Sequence, residues 1–459
     1  MKKDARGGSR QPELFPRSKR PTIPIDPNHR LVLLADEIDW TELEERVEQI
    51  RMSKLTSAAG RPPHLRTLTG ALLLKATRDM TWREAEDLIR YYAPARYLCG
   101  LTETEWSPDH TTLHDFAVLL GEEGVRLINE YAVKWAVDEK LADPSVAVGD
   151  TTAQEAAIPY PNEMGLMAAF MNSVSAASKR GGTALKAFAA KAVTKFKAAK
   201  EKIRRYRLFT KTREARLKLL TEMANLVEVT QTQFGHALEA RQQVAKYSKV
   251  AQAKAAHLHE TMKKLLPQIR YWLKTGKVAA DKIINIHMPE LYSIVRGKLA
   301  KPVEFGLSWG VTRLRGGFLL VTMARDRREL VDTKFAVRAV DQCMALFGKA
   351  PHAFAYDRGG YSLENVAALK KRGVREVGLA PLGRNDWAVG AKMKEKLVRE
   401  RALVEAGIGT LKSRRYGFNR PRARSADMMG AYGQLAVLGF NINKLVRGLA
   451  ARNEIEAVG

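Results

Sequence analysis

Two aspartates follow short apolar runs at widely separated places in the chain. Val146 to Val148 leads through Gly149 into Asp150, and Ala353 to Tyr356 leads directly into Asp357. Short apolar runs followed by a change in composition are typical of buried strands. A divalent metal site needs carboxylates held rigidly at the edge of a sheet, where a substrate can approach. Both aspartates are therefore candidate metal ligands, although aspartate after a strand is often only a helix cap or turn former.

A third carboxylate lies inside a predicted helix that spans about Lys392 to Lys412. Glu405 has Arg401 four residues before it and Lys412 seven residues after it. At about 100° per residue the three side chains project within roughly 40° of one another, so one face carries an anion and two cations. The alternative interpretation is an exposed helix with ordinary pairing between Arg401 and Glu405.

The charge balance indicates a polyanionic partner. The 459 residues include 77 lysines and arginines against 50 acidic residues, which gives a net charge of +27. This charge creates a large positive electrostatic potential around the protein, which favours nucleic acid as the partner. The alternative explanations of the charge are association with ribosomes, binding to a membrane surface, or a generally basic proteome. Charge alone does not distinguish an enzyme from a binding protein.

Cysteine content and hydropathy restrict the kinds of site and the cellular location to be expected. Cys99 and Cys343 lack the neighbours of a structural zinc site or a disulfide framework, so we predict two inert core thiols. The basic N-terminus has no signal-peptide pattern, and no apolar run is long enough for a membrane span. We expect a cytoplasmic protein that associates with the nucleoid and not with membranes.

The pattern along the chain divides it into regions. Residues 1–30 read as a flexible basic tail, residues 31–140 as an all-helical domain, residues 141–450 as an α/β domain and residues 451–459 as a second tail. In the helical domain, Thr81 and Glu84 form a capping-box pattern, and Thr111 or Thr112 is a candidate start for a later helix.

A long helical insertion interrupts the α/β domain after its first strand. Residues 164–275 contain few glycines or prolines and carry helical apolar stripes, which favours an inserted helical hairpin. Between Lys179 and Lys218 only Glu201 and Glu214 oppose many lysines and arginines, and this excess favours DNA contact over a merely solvated face. Dimerisation is the alternative role of the insertion.

After the insertion, strand and helix patterns alternate. The predicted elements are strands Val303 to Val311, Gly317 to Thr322, Ala353 to Tyr356 and Val374 to Ala380, and helices at Phe335 to Phe347 (capped by Asp332 or Thr333), Ser362 to Lys371 and Lys392 to Lys412. Without the insertion, this is the element order of an RNase H-like α/β core with a mixed sheet.

Several of these motifs together resemble bacterial insertion-sequence transposases of the DDE type, and the resemblance covers most of the chain. They are Val148-Gly149-Asp150-Thr151-Thr152 with Pro161 and Glu163, then Tyr356-Asp357-Arg358-Gly359-Gly360-Tyr361, then Arg401, Glu405 and Lys412, with further similarity from Ile294 to Gly306 and from Asp36 to Glu139. The family carries a Tyr-Arg-Glu-Lys signature in its last helix. Val398 stands here at the tyrosine position, so no role is carried over for that residue. We take His110, in the N-terminal match, as structural.

The resemblance implies a mechanism and partners. Asp150, Asp357 and Glu405 would be the catalytic residues and would hold two Mg²⁺ or Mn²⁺ ions that serve strand cleavage and strand transfer. Arg401, Lys412 and Arg358 would contact DNA phosphates. The implied partners are double-stranded DNA, as terminal repeats and target, and further copies of the chain assembled on it. The N-terminal helical domain would bind DNA.

Three other functions remain open at this point. A nuclease on the same core would hydrolyse DNA without joining it. An inactive transposase derivative would act as a DNA-binding regulator, although the presence of all three carboxylates argues against decay. A coiled-coil adaptor built on the insertion would leave the aspartates at the strand ends unexplained.

Overall fold

The structure of the chain is a computed structural model. It describes residues 25–55, 63–102, 106–180, 183–240, 246–295, 302–326, 328–381, 383, 387 and 389–458. Most of the predicted basic tail therefore lies outside the described residues, and the first helix begins at Arg30.

The N-terminal region is helical, as predicted. Its helices are α1 (Arg30–Glu37), α2 (Trp40–Lys54), α3 (Leu65–Ala76), α4 (Trp82–Tyr91), α5 (Ala93–Leu98) and α6 (His110–Asp138). The predicted capping box of Thr81 and Glu84 is confirmed at the start of α4. The predicted start of α6 at Thr111 or Thr112 is wrong, because the Asp109 carboxylate accepts the Thr112 N–H at 2.8 Å and begins the helix two residues earlier.

The insertion contains five described helices where a hairpin was predicted. They are α7 (Glu163–Arg180), α8 (Thr183–Lys191), α9 (Val193–Leu208), α10 (Arg213–Glu239) and α11 (Lys246–Thr275). Periodicity identifies the apolar face of a helix but not the place where the chain reverses. Among the described residues, Thr212 is a local signal for an extra helix, because its hydroxyl accepts the Ala215 N–H and caps α10. Buried residues such as Phe170, Phe234 and Met262 give the insertion its own hydrophobic core.

The described strands form one mixed sheet. They are β1 (Asp143–Glu155), β2 (Tyr292–Val295), β3 (Val303–Arg315), β4 (Leu319–Met323), β5 (Ala353–Ala355) and β6 (Glu376–Gly378). The central strand β1 pairs antiparallel with β3 on one side and parallel with β5 on the other, and β6 extends the sheet parallel to β5. The other edge of β3 pairs with β2 and β4. The short strand β2 was not predicted.

The position of Asp150 within its strand differs from the prediction. Asp150 lies inside β1, where it pairs with Val311 of β3, and the strand continues to Glu155. The parallel pairing of β1 with β5 nevertheless ends at Val148, just before this residue. The apolar run marked only the part of β1 that pairs with a strand on both edges. The more polar remainder, in which Thr152 and Gln154 are also buried, continues because β3 still pairs with it.

Helices cover both faces of the sheet. The C-terminal elements are α12 (Asp332–Phe347), a short 3₁₀ turn (Arg358–Gly360), α13 (Leu363–Lys371), α14 (Ala391–Leu411) and α15 (Ala426–Val458). Leu397 and Val404 of α14 pack on one face, whereas Phe335 of α12 packs on the other. Neither predicted cap of α12 is observed, because the helix begins at Asp332 itself after Val331. The last helix, α15, runs through the segment predicted as a C-terminal tail.

Candidate active site

The register of the central strands places the two predicted aspartates side by side. Val148 of β1 lies opposite Ala355 of β5, and each aspartate follows two residues later in its own chain segment. Side chains alternate along an extended chain, so Asp150 and Asp357 project on the same face as Val148 and Ala355. That face is the one on which α14 packs. Both carboxylates therefore lie at the same edge and on the same face of the sheet.

The Asp357 carboxyl group is half-buried and incompletely satisfied. Its Oδ1 atom is buried and has no hydrogen-bond partner among the described residues. Burial raises the pKa of Asp357, and the nearby charge of Asp332 raises it further. Arg401 and the N–H groups of Gly359 and Gly360 act in the opposite direction. A buried carboxylate oxygen without a donor is suited to receive a cation.

Asp332, considered from the sequence only as a helix cap, connects the two strands. The Thr151 hydroxyl donates to its Oδ1 atom at 2.9 Å, and the Tyr356 hydroxyl donates to the same atom at 3.1 Å. Thr151 follows Asp150, and Tyr356 precedes Asp357. The Asp332 carboxylate therefore holds in place the residue next to each of the two predicted metal ligands, Asp150 and Asp357.

The Tyr356 ring fits into a space that only glycine neighbours allow. A side chain at Gly149 would put its Cβ atom 2.6 Å from the ring, and one at Gly360 would approach it to 2.4 Å. Burial and the surrounding carboxylates raise the pKa of Tyr356, so the phenol keeps its proton and serves as a donor. The glycines beside the two aspartates thus make room for the residue that holds their strands together.

Helix α14 brings a cation to this edge. Arg401 is half-buried and lies close enough to Asp357 to lower the pKa of its carboxyl group. The neighbouring Glu400 forms an ion pair with Arg313 of β3, and both side chains are almost buried. This pair fixes how α14 is rotated on the sheet.

Of the other predicted site residues, Glu405 and Arg358 are exposed and Lys412 is half-buried. Glu405 lies one turn beyond Arg401 in α14, Lys412 directly follows α14, and Arg358 begins the 3₁₀ turn after Asp357. Within the described part of the chain, no group of three or more His, Cys, Asp or Glu side chains is arranged to hold a metal ion. The structure brings Asp150, Asp357 and Arg401 together, and the role of Glu405 as third ligand stays a prediction.

The residues that the sequence predicts to be structural, a histidine and two cysteines, are paired or buried in the structure. The Nδ1 atom of His110 lies 2.7 Å from Glu86 Oε2, which joins α6 to α4. Cys99 and Cys343 are buried free thiols, and burial raises the pKa of each to about 12. No described helix has both the length and the apolar character needed to span a membrane.

One family is similar to the N-terminal part of the chain. Residues 21–118 match a family described as "Transposase domain (DUF772)". The match supports a transposase, an enzyme that acts on DNA as part of a mobile element; it covers about a fifth of the chain and ends before the sheet. No curated protein and no solved structure matches the chain.

Proposed function

We propose that this chain is a DNA transposase that cleaves and joins DNA strands at the edge of an RNase H-like sheet. The observation that carries the proposal is that Asp150 and Asp357 each follow, by two residues, the last paired residues of two adjacent parallel strands, Val148 and Ala355. The order of the strands, with β1 between an antiparallel β3 and a parallel β5, supports the RNase H-like class. The transposase-domain match supports the reaction class.

The residues at this edge fit a divalent metal site. Asp357 offers a buried oxygen without a donor, and Asp150 is partly exposed beside it. Two Mg²⁺ or Mn²⁺ ions about 3.5–4 Å apart would activate the attacking hydroxyl and neutralise charge on the scissile phosphate. Asp150 and Asp357 would hold them, and Glu405 of α14 is the proposed third ligand.

The surrounding cations suit a phosphodiester substrate. Arg401 lies beside Asp357, while Lys412 and Arg358 are on adjoining segments, and we propose that the three contact DNA phosphates. Water first attacks the scissile phosphorus and releases a 3′-hydroxyl. That hydroxyl then attacks a target phosphorus, so the new phosphodiester replaces the target bond that breaks and a target 3′-hydroxyl leaves. No external energy source is required, and two element ends call for at least two copies of the chain.

The experiment is cleavage and joining of labelled duplex DNA that carries the flanking ends of the chain's own gene, with Mg²⁺ or Mn²⁺. We expect Asp150→Asn, Asp357→Asn and Glu405→Gln to lower both steps about a thousandfold or more, because each removes a proposed metal ligand. Glu395→Gln, at an exposed position on the same helix, is the matched control and should retain activity.

The outcomes separate the alternative functions. Cleavage without joining would indicate a nuclease on the same core. Binding without cleavage in either metal would indicate a DNA-binding regulator. Normal activity of Glu405→Gln together with inactive aspartate variants would remove Glu405 from the site and leave the rest of the proposal standing.

A further inference from the structure

Four arginines from distant parts of the chain converge between the N-terminal helices and α15. Arg30 opens α1, Arg78 follows α3, Arg415 follows α14 and Arg447 lies in α15. Arg30, Arg415 and Arg447 line a cleft of about 170 Å³, and Arg78 follows its lining residue Thr77. We call these four residues and this space the arginine cleft. It is distinct from the site at the edge of the sheet.

The charges in the arginine cleft are not balanced by its own lining. None of the residues that line the cleft is acidic. Partial burial lowers the pKa of Arg30, and the neighbouring charges of Arg415, Arg78 and Arg447 lower it further. The nearby Asp79 does not line the cleft; its carboxylate lies against Gly417, and Asp79 lines the neighbouring cavity that contains Arg78. Like charges brought together in this way are stabilised by an anion placed among them.

The cleft has a buried polar floor that orients one of the guanidiniums. Arg415 donates from Nη2 to Asn443 Oδ1 at 3.3 Å. The amide nitrogen of Asn443 in turn donates to the carbonyls of Thr77 and Gly439, each at 2.8 Å. Asn443 is therefore held from two sides, and Arg415 is directed by a fixed partner.

We propose that the arginine cleft binds a phosphate group and that the DNA backbone supplies it. Guanidinium forks match phosphate oxygens, and three or more of them can surround a tetrahedral anion. Two further arginines, Arg422 and Arg424, line a neighbouring cavity of about 470 Å³ with Arg78, so the positive surface continues beyond one phosphate. Arg30 and Arg78 also lie within the segment that matches the transposase domain. The choice of DNA as source rests on the proposed function; the phosphate chemistry does not.

The test compares two variants that remove the same charge. The cleft variant is Arg30→Gln/Arg415→Gln/Arg447→Gln. Its control is Lys370→Gln/Lys371→Gln/Arg375→Gln, at exposed cations around the amino end of β6, the end of the sheet opposite the aspartates. DNA affinity is measured against salt concentration without divalent metal, so that cleavage plays no part. We expect the slope of log K against log [salt] to fall by about 0.9 in the cleft variant alone, because the arginine cleft neutralises one phosphate.

A second measurement separates the sources of phosphate. Thermal unfolding of the wild type and both variants is followed in sodium phosphate and in sodium chloride of equal ionic strength. A reduced DNA slope in the cleft variant supports a DNA phosphate. An unchanged slope, with phosphate stabilising the wild type and control but not the cleft variant, would keep the phosphate site and overturn DNA as its source.

Equal behaviour of the cleft variant and the control in both measurements would overturn the proposal altogether. If the triple variant does not fold, Arg447→Gln, a single change at an exposed position of α15, is tested in the same way, with an expected fall in slope of at most about 0.9 because the other arginines of the cleft remain. A reduced salt slope in the cleft variant of a protein that never cleaves DNA would contradict the proposed function but would still support the arginine cleft as a phosphate site.

Discussion

The mixed sheet holds carboxylates against a buried aromatic ring, whereas the helical insertion presents cations to solvent. Asp332 accepts a hydrogen bond from Tyr356, and Asp357 is half-buried beside them. In the insertion, α9 exposes Lys197, Lys200, Arg204, Arg205 and Arg207. In the sheet, hydrogen bonds and burial fix the positions of side chains, whereas the insertion exposes positively charged side chains to solvent. Under the proposed function, the sheet would carry the chemistry and the insertion would attract the polyanionic DNA.

The two regions also have separate hydrophobic cores. Phe354 is buried on the sheet with the N-terminal helices, while Phe234 is buried among the helices of the insertion. Glu163, the first residue of α7, forms an ion pair with Lys282, and both side chains are nearly buried. The two ends of the insertion therefore meet at one place, as expected for a unit that could fold independently of the sheet.

The largest expected effect tests that separation. Phe354→Ala and Phe234→Ala each remove a fully buried ring, and each should cost about 3–5 kcal/mol. If the cores are separate, Phe234→Ala lowers the unfolding midpoint of the insertion and leaves that of the sheet unchanged, and Phe354→Ala does the reverse. Calorimetry combined with hydrogen exchange on segments of each region distinguishes them. A single transition shifted equally by both changes would show one cooperative unit.

The sequence also predicts the elements of the sheet more completely than it predicts those of the insertion. Apolar runs and turn residues located β1, β3, β4, β5 and β6, because a strand in a sheet core must bury its side chains. They did not reveal that β1 continues beyond Asp150, since Thr151 and Thr152 are polar and stay in the ladder through β3 alone. In the insertion, periodicity located helices but not their number, because helix ends depend on local caps such as Thr212.

The site shows the same division between local and tertiary information. Asp150 and Asp357 were identified from their positions after apolar runs, and the sheet register then placed them at one level. Asp332 was not identified, because its role depends on hydroxyls 181 and 24 residues away in sequence. Gly149 and Gly360 are a sequence signal that was not used: glycine is common where another group approaches the backbone closely, and here that group is the Tyr356 ring.

The next prediction concerns the charge that α9 displays. Lys197, Lys200, Arg204 and Arg207 are spaced by three, four and three residues, so they share one exposed face. Changing all four to glutamine should lower the salt slope of DNA binding by up to about 3.6 if each contacts a phosphate. Filter binding at several salt concentrations measures the slope, with cleavage at saturating protein expected to be unchanged.

The matched control lies on another helix of the insertion. Lys254, Lys263, Lys264 and Lys274 of α11 are also exposed, and their replacement removes the same charge. Equal slopes for the two variants would mean that only net charge matters. A change of oligomeric state in the α9 variant, seen by sedimentation with no change of slope, would instead assign the insertion to dimerisation.

A smaller effect is expected from Asp332, within the sheet region. Asp332→Ala removes the carboxylate oxygen to which the hydroxyls of Thr151 and Tyr356 donate, and the loss of these two hydrogen bonds should cost about 1–3 kcal/mol in total. Asp332→Asn keeps an oxygen at the same position and should cost less, while cleavage is retained to a greater extent than in the alanine variant. Denaturant unfolding and the cleavage assay check the pair. Equal losses in both variants would assign the effect to the charge and not to the hydrogen bonds.

The smallest effect compares one carboxyl group from each region through the pH dependence of stability. Burial raises the pKa of Asp357 above its ordinary 3.8, so its ionisation opposes folding, and stability is lost as pH rises through the shifted pKa. Hydrogen bonding to Lys202 lowers the pKa of Glu222 in α10 below its ordinary 4.5, so its ionisation favours folding, and stability is lost as pH falls through the shifted value. As pH rises above about 3.8 and through the raised pKa, Asp357→Asn should therefore gain stability relative to the wild type, whereas Glu222→Gln should lose it as pH rises through the lowered pKa towards about 4.5. Denaturant unfolding as a function of pH gives both differences. Opposite trends would show that the sheet keeps Asp357 at a cost in stability, as expected for a group retained for function; parallel trends would mean that the environments of the two carboxyl groups do not differ as the structure indicates.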